Sequence, residues 1–252
     1  MASEVRGEVC GEDRVQEGPF GPEVRPAGGA AGQTVLYVHG DSRLAGTPQD
    51  ALPTARELTR RTGQAVVCAR YRPRFPQALE DVYAAWEHCH ERGPVAVAGK
   101  RLGGALAAGL LLRLRDAGAP LPTCAVLTSP VLDFTLDAPS LFRNAAADRT
   151  VDAETLPLRV AAYAGTTPRD HPLLSPLHGN LHGLPPVQLH AAGTEVLLDD
   201  TLSFATRAAH SGIAVDMRVY EDLSAQGLKG LHAMAVFLRS WHRSASFTAS
   251  ET

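Results

Sequence analysis

Two adjacent cations, Lys100 and Arg101, stand between an apolar run at residues 94–99 and a glycine pair, Gly103 and Gly104, that opens a second apolar run. A strand that turns sharply into a helix concentrates positive charge there, because the free N–H groups of the helix add to the cationic side chains. Such a pair can bind a carboxylate or an enolate and can stabilise negative charge developing on an oxygen. We therefore predict that Lys100 and Arg101 are catalytic residues.

A second polar group follows the β-rich run at residues 34–38 and consists of His39, Gly40, Asp41 and Ser42. His39 and Asp41 are predicted catalytic residues, since either could accept a proton. Gly40 and Ser42 are predicted to contact the substrate. The alternative for His39 is a structural role, and for Asp41 and Ser42 it is an ordinary loop role.

Two further residues complete the predicted site. Leu102 directly follows the cation pair, and Glu195 follows the apolar run at residues 187–191; both are predicted substrate contacts, and Glu195 could also supply a base. The alternative for this region is an inactive site in which Arg101 pairs with Asp41 or Glu195, because a buried charge needs compensation.

Short apolar runs alternate with helical patterns along residues 34–243, which predicts an α/β domain with a mostly parallel sheet covered by helices on both faces. In such sheets ligands bind at the carboxyl ends of the strands, where the residues named above fall. Residues 1–33 are predicted to form edge strands and loop, and residues 244–252 a flexible tail.

Seven segments, taken in order, carry a resemblance to a known family. They are residues 36–40, 71–81, 97–104, 128–133, 170–176, 183–186 and 195–200. Together they resemble the hormone-sensitive-lipase-like branch of the α/β-hydrolases, which includes bacterial esterases. The resemblance implies an α/β-hydrolase fold, and the short N-terminal segment implies a reduced cap.

The resemblance breaks at the catalytic residues. The family motif Gly-Asp-Ser-Ala-Gly-Gly, whose serine is the nucleophile, corresponds to residues 99–104, where Arg101 replaces the serine. The acid of the triad corresponds to Thr194, and the histidine corresponds to Ala225. A guanidinium has no nucleophilic lone pair. The sequence alone therefore predicts that the chain is not a serine hydrolase.

Three functions without hydrolysis are compatible with a cationic pocket lacking that triad, and an ordinary hydrolase that uses a relocated nucleophile such as Ser42 ranks last. The first is a lyase that eliminates an acyloxy group such as acetate from a β-acyloxy carbonyl compound, because the pair can stabilise the enolate and receive the carboxylate. The second is a cyclase of an enolate-like intermediate. The third is a ligand-binding protein without turnover. Triad-modified lyases and cyclases of natural-product and antibiotic biosynthesis resemble this pattern, which favours the first.

The composition and charge of the chain limit the classes of binding partner that we expect. The 252 residues carry a formal charge of −3, which gives no reason to expect nucleic acid or an anionic membrane. Neither a signal-peptide core nor a run of transmembrane length is present in the sequence, so a cytoplasmic protein is expected. Cys10, Cys68, Cys89 and Cys124 show no metal-binding spacing. We expect no cofactor and no metal, a small anionic or ester-bearing substrate, and a chain that could form a homodimer.

Overall fold

The computed structural model describes residues 13–30 and 32–248, except the side chains of Leu228 and of residues 243–248. Within these described residues, eight strands form one sheet in the order β1-β2-β4-β3-β5-β6-β7-β8. The strands are listed in chain order: β1 Arg14–Gly18, β2 Gly21–Arg25, β3 Thr34–Val38, β4 Ala65–Cys68, β5 Val95–Lys100, β6 Ala125–Thr128, β7 Val187–Ala192 and β8 Val215–Tyr220. Strands β3 to β8 run parallel to one another, and β1 and β2 form an antiparallel edge in which β2 pairs with β4.

In the part of the chain that the structure describes, seven α-helices connect and cover these strands. They are α1 Pro48–Thr62, α2 Gln77–His90, α3 Leu102–Asp116, α4 Ser140–Arg143, α5 Leu156–Ala164, α6 Leu198–His210 and α7 Leu223–Thr248. Helices α2, α3 and α6 pack on one face of the sheet, and α1 and α7 pack on the other. The prediction of an α/β-hydrolase fold, with a mostly parallel sheet between two helical layers, is confirmed.

Local sequence explains where α1 begins and ends. Thr47 accepts a hydrogen bond from the backbone N–H of Asp50, and the Asp50 carboxylate accepts one from the Thr47 backbone, which is a reciprocal capping box. The helix stops at Gly63, whose φ of 72° lies in the left-handed region that glycine adopts without steric cost. The chain then enters β4 directly.

The core explains why the strands read as continuously apolar. Successive side chains alternate between the two faces. Leu36 and Val97 point into the layer of α2 and α3, whereas Val35 and Ala96 point into the layer of α1 and α7. Since both faces are covered, both sets of side chains are apolar. Helix α3 is buried on nearly every side, which accounts for its run of alanine and leucine.

The last helix differs from its sequence prediction. The hydrophobic pattern predicts a helix from about residue 228 to 243, but α7 begins at Leu223 and continues to Thr248. The Asp222 carboxylate accepts a hydrogen bond from the backbone N–H of Ala225, which caps the early start. The segment aligned with the family's histidine loop is therefore helical, and Gln226 lies on the first turns of α7. Residues 249–252 of the predicted tail lie outside the described residues.

The predicted segment boundaries at residues 33 and 243 stay a prediction. Residues 1–12 of the N-terminal segment, Cys10 included, lie outside the described residues. The three described cysteines, Cys68, Cys89 and Cys124, are buried and unpaired. In the part of the chain that the structure describes, no helix is both long and apolar enough to cross a membrane.

Candidate active site

The turn between β5 and α3 holds Arg101 in a strained backbone conformation. Its φ of 54° and ψ of −120° are rare for a residue with a Cβ atom. The Arg101 N–H donates to the carbonyl of Thr128, and the Arg101 carbonyl accepts from the N–H groups of Gly104, Ala105 and Val131. This network fixes the turn and places the Arg101 side chain at the carboxyl edge of the sheet.

Two glycines make this turn possible by close backbone approach. A Cβ atom on Gly103 would collide with the carbonyl oxygen of Val38. A Cβ atom on Gly40 would lie 2.6 Å from the backbone nitrogen of Gly103 and 2.7 Å from that of Leu102. The loop after β3 therefore lies directly against the N-terminus of α3, whose N–H groups carry partial positive charge.

The side chain of Arg101 is almost completely buried, with 4% of the residue exposed. One guanidinium nitrogen, Nη1, lies 3.5 Å from Oε2 of Glu195, and the other, Nη2, donates to Oγ1 of Thr150 at 2.9 Å. Thr150 in turn donates to the Asp148 carboxylate at 2.6 Å. Arg101 is thus held by the buried carboxylate of Glu195 and by the hydroxyl of Thr150, which itself donates to a second acid, Asp148.

Burial alone would raise the pKa of both acids. For Glu195 burial prevails and its pKa is raised, although the nearby charge of Arg101 opposes the shift. For Asp148 the hydrogen bonds from Thr150 and Val196, with help from the charge of Arg101, outweigh burial, and the pKa is lowered. The lowered pKa favours the ionised form of Asp148, which lies behind the Thr150 hydroxyl that Arg101 contacts.

His39 lies at the end of β3 and is partly buried beside the cations. Burial lowers its pKa, and the charge of Lys100 lowers it further. Its Nδ1 atom is buried without a hydrogen-bond partner among the described residues, and its backbone carbonyl accepts from the Tyr71 hydroxyl at 2.6 Å. A neutral imidazole with a free ring nitrogen can accept a proton.

The Asp41 carboxylate is hydrogen-bonded to other residues of its own loop. Its carboxylate accepts from the backbone N–H groups of Arg43 and Ala45 and pairs with the Arg43 guanidinium at 2.8 Å. These contacts hold residues 41–45 in a tight turn. The carboxylate is thereby less available as a base than its sequence position indicates, although the catalytic role predicted for it has not been tested.

These groups surround one pocket with a volume of about 320 Å³. Its wall is built from the loop after β3, the turn at Arg101, the carboxyl ends of β6 and β7, and the first turns of α7. Six polar side chains matter for its chemistry: His39, Ser42, Lys100, Arg101, Thr128 and His190.

The structure brings most of the sequence-predicted residues together. Lys100, Arg101, His39, Gly40, Asp41 and Ser42 all line the pocket. The other two predicted residues, Leu102 and Glu195, are completely buried, Leu102 in the core and Glu195 behind Arg101. Their side chains do not line the pocket, but the backbone nitrogen of Leu102 lies close to Gly40, which does line it. The roles predicted for all eight residues stay predictions.

Sequence reasoning missed Thr128 and His190. His190 is completely buried on β7, and burial lowers its pKa to about 4, with the charge of Arg218 adding to the shift. Both of its ring nitrogens lack a hydrogen-bond partner among the described residues, as does the Thr128 hydroxyl. Buried polar atoms are rarely left unpaired in proteins, so these atoms point to a ligand.

A family model of the alpha/beta hydrolase fold matches residues 35–225, which is most of the chain and includes every part of the pocket wall except most of its α7 side. The chain belongs to the α/β-hydrolase-fold family. An acetyl-hydrolase of Streptomyces hygroscopicus is 36% identical to this α/β-hydrolase over 236 residues, which cover 86% of the chain and 78% of the relative. An esterase of Acinetobacter venetianus is 28% identical over 213 residues, 81% of the chain and 70% of the relative.

Solved structures agree with this assignment. The esterase EstE5 superposes on this α/β-hydrolase with a TM-score of 0.86 at 27% identity, covering 92% of the chain and 86% of EstE5. An esterase of the bacterial hormone-sensitive lipase family superposes with a TM-score of 0.86 at 28% identity, covering 92% and 85%. The resemblance inferred from the seven segments is confirmed at the level of the fold family, with neighbours in that esterase family.

These relatives contradict the functional prediction. They are named for hydrolysis of acetyl and other esters, which points to a hydrolase and overturns the predicted lyase, cyclase and ligand-binding functions. The statement that the chain is not a serine hydrolase is contradicted by the same findings. The error was to infer, from the absence of the triad residues at Arg101, Thr194 and Ala225, that the pocket cannot hydrolyse an ester. Ester hydrolysis needs a nucleophile, a base and an oxyanion site, and other groups on the pocket wall are of the types that can supply all three.

Proposed function

We propose that this α/β-hydrolase is a carboxylic ester hydrolase that releases a small acyl group, most simply acetate. The observation that carries the proposal is that a neutral imidazole, a cationic turn and a helix N-terminus meet in one pocket of about 320 Å³. The names of the relatives supply the reaction class, and the size of the pocket favours a small substrate.

The oxyanion site is the turn at Arg101. As a nucleophile attacks the ester carbonyl, negative charge develops on the carbonyl oxygen. Among the described residues, the backbone N–H of Leu102 has no acceptor, and it lies at the first turn of α3 beside Gly40. The buried guanidinium of Arg101 adds a fixed positive charge next to it. Together these donors can stabilise the tetrahedral intermediate without reorganising.

His39 is the base. In its neutral form it takes the proton of the attacking hydroxyl, the new C–O bond forms, and the bond to the alcohol oxygen breaks. The imidazolium then returns the proton to the leaving alkoxide. Glu195 is unsuited to this step because it is completely buried behind Arg101 and already accepts a hydrogen bond from Ala192.

Two hydroxyl sources lie within the pocket: a water molecule, and the side chain of Ser42, which is the one serine on the described pocket wall. A phosphonate ester that resembles the tetrahedral intermediate separates them. A stable adduct mapped to Ser42 by mass spectrometry identifies a covalent route, and turnover of esters without any adduct identifies direct attack by water.

The proposal is tested by measuring acetate release from small acetate esters. Wild-type protein should release acetate with saturation kinetics, and His39→Asn should abolish the activity. Arg101→Met should lower kcat by about a hundredfold, the usual cost of removing one oxyanion contact. The matched control is Arg143→Met, which removes an exposed arginine paired with Asp199 outside the pocket. Absence of acetate release from every ester, with folded protein, would refute the proposal.

A further inference from the structure

One wall of the pocket is a row of three polar side chains contributed by neighbouring strands. Lys100 on β5 pairs in register with Thr128 on β6, and Thr128 pairs in register with His190 on β7. Residues in register on adjacent strands point to the same face of a sheet. This polar row therefore lies on the face covered by α7, at the carboxyl edge, and all three residues line the pocket.

The polar row has unsatisfied hydrogen-bonding capacity. The hydroxyl of Thr128 and both ring nitrogens of His190 are buried without partners among the described residues. Leaving such groups unpaired in the interior is costly. The Thr128 hydroxyl and the single N–H of the neutral His190 ring can both donate to a bound molecule, which would satisfy two of these atoms.

The charge of the row is positive and uncompensated. Arg101 is balanced by Glu195, and Asp41 is balanced by Arg43. Among the described residues, no carboxylate lies within ion-pair distance of the Lys100 ammonium, so the pocket retains one positive charge there. An anionic ligand would supply the missing counter-charge and would accept hydrogen bonds from all three side chains.

Helix α7 approaches the row closely at one glycine and leaves open space at another. A Cβ atom on Gly230 would lie only 3.0 Å from Nδ1 of His190, so the helix backbone packs against that edge of the ring. Gly227, nearly one turn earlier, has open space where a Cβ atom would stand and also lines the pocket. Room for a ligand therefore lies beside Gly227.

We propose that the ester substrate carries a carboxylate in its alcohol part, bound by Lys100, Thr128 and His190. The inference rests on the proposed function, because an acetyl group has no second carboxylate and leaves only the alcohol to carry one. The turn at Arg101 then holds the ester carbonyl, and Lys100, the adjacent residue, holds the acid. The substrate class is an O-acyl hydroxy acid of small size.

The sequence allows binding to be observed without turnover, because it contains two lysines, Lys100 and Lys229. Lys229 is exposed on α7 and serves as the internal control. Protein grown with lysine ¹³C-labelled at the ε carbon has one resonance for each, assigned with Lys229→Arg. The probes are 2-ethoxypropanoate, which has a carboxylate and no ester bond, and 2-ethoxypropanamide, its neutral counterpart.

We expect 2-ethoxypropanoate to shift the Lys100 resonance saturably, 2-ethoxypropanamide to leave it unchanged, and Lys229 to respond to neither. Thr128→Val should weaken the binding of 2-ethoxypropanoate by about threefold to tenfold, because one charge-assisted hydrogen bond is lost. A Lys100 resonance that does not move, or that moves equally with both probes, would overturn the inference.

Kinetics separate this inference from the proposed function. The substrates are 2-acetoxypropanoate and 2-acetoxypropanamide, which share the same acetate ester. Preference for the acid by about tenfold or more in kcat/KM, lost in Lys100→Met and kept in Lys229→Met, supports both ideas. Equal kcat/KM for both substrates leaves the hydrolase standing and refutes the carboxylate site. Hydrolysis of neither, with the Lys100 resonance still responding to the acid, leaves the carboxylate site standing and refutes the hydrolase.

Discussion

Arg101 and Glu195 form a buried ion pair in which Nη1 lies 3.5 Å from Oε2 and the side chains are 5% and 0% exposed. Neither of these two atoms has a hydrogen-bond partner among the described residues. The pair fixes the cation that we assign to the oxyanion site, and it explains why a charged side chain can occupy the turn between β5 and α3.

Removing the carboxylate from this pair should destabilise the protein. In Glu195→Gln the buried guanidinium loses its counter-charge, and we expect unfolding free energy to fall by about 3–5 kcal/mol. Urea denaturation followed by circular dichroism measures the change. The control is Glu17→Gln, which removes an exposed partner of Arg70 and should cost less than about 1 kcal/mol. Equal losses in the two variants would show that Arg101 does not depend on Glu195.

Activity should depend on the protonation of His39. Its pKa lies below the ordinary value of 6.5 because of burial and the charge of Lys100. Only the neutral imidazole can accept a proton, so kcat/KM should be constant above pH 6.5 and should decline as the pH falls through the lowered pKa. The measurement is a pH profile of acetate release.

A change in Lys100 tests the cause of that shift. In Lys100→Met the repulsive charge is absent, so the acidic limb of the profile should move to higher pH. His232→Asn, a change at an exposed histidine near Arg61, should leave the profile unchanged. An acidic limb that stays in place in Lys100→Met, or is kept in His39→Asn, would argue against His39 as the base.

Asp200 should make stability depend on pH. Its carboxylate accepts from the N–H groups of Leu132 and Asp133, and burial raises its pKa from 3.8 to about 7. Folding therefore favours the protonated form, and that contribution, complete at low pH, is lost as the pH rises from about 4 to about 7. Asp200→Asn keeps an acceptor oxygen and should flatten this part of the stability profile, measured by urea unfolding. Asp137→Asn, at an exposed site, should keep the wild-type slope.

Gly40 should not tolerate a side chain. A Cβ atom there would lie 2.6 Å from the nitrogen of Gly103, so Gly40→Ala must push the loop away from α3. We expect a loss of about 1–3 kcal/mol in stability, the usual cost of overpacking, and a lower kcat, since the oxyanion donors move. Gly28→Ala is the control, because nothing lies within 4 Å of its added Cβ atom. A stable, fully active Gly40→Ala would contradict the close approach.

Much of the fold could be predicted because its determinants are local. Apolar strands covered on both faces read as continuous hydrophobic runs, and the glycines around Arg101 mark the turn whatever the residue between them. The same reasoning assigns Lys100, Arg101 and His39 to one pocket. They lie at the carboxyl ends of β5 and β3, and the carboxyl ends of parallel strands lie at one edge of the sheet.

The position of His190 in the pocket wall could not be predicted from the sequence in this way. His190 lies in the middle of an apolar strand segment, and its partnership with Thr128 appears only when the pairing of β6 with β7 is known. The start of α7 was also missed, because the resemblance suggested a loop around Ala225 and two glycines follow it. The functional prediction was wrong for another reason: it took the replacement of the triad residues at Arg101, Thr194 and Ala225 as decisive against hydrolysis, which the relatives named as hydrolases contradict.

The most direct test of the central claim is the fate of oxygen during acetate release. The protein is incubated with 3-acetoxybutanoate, in which the acetoxy group is β to the carboxylate and elimination is also chemically possible, in ¹⁸O-labelled water, and mass spectrometry follows the acetate and the second product. Hydrolysis at the acyl carbon predicts acetate that carries one ¹⁸O atom together with unlabelled 3-hydroxybutanoate, and no labelled acetate with His39→Asn. Unlabelled acetate formed together with an alkene would contradict the account, because the ester would then have been cleaved by elimination.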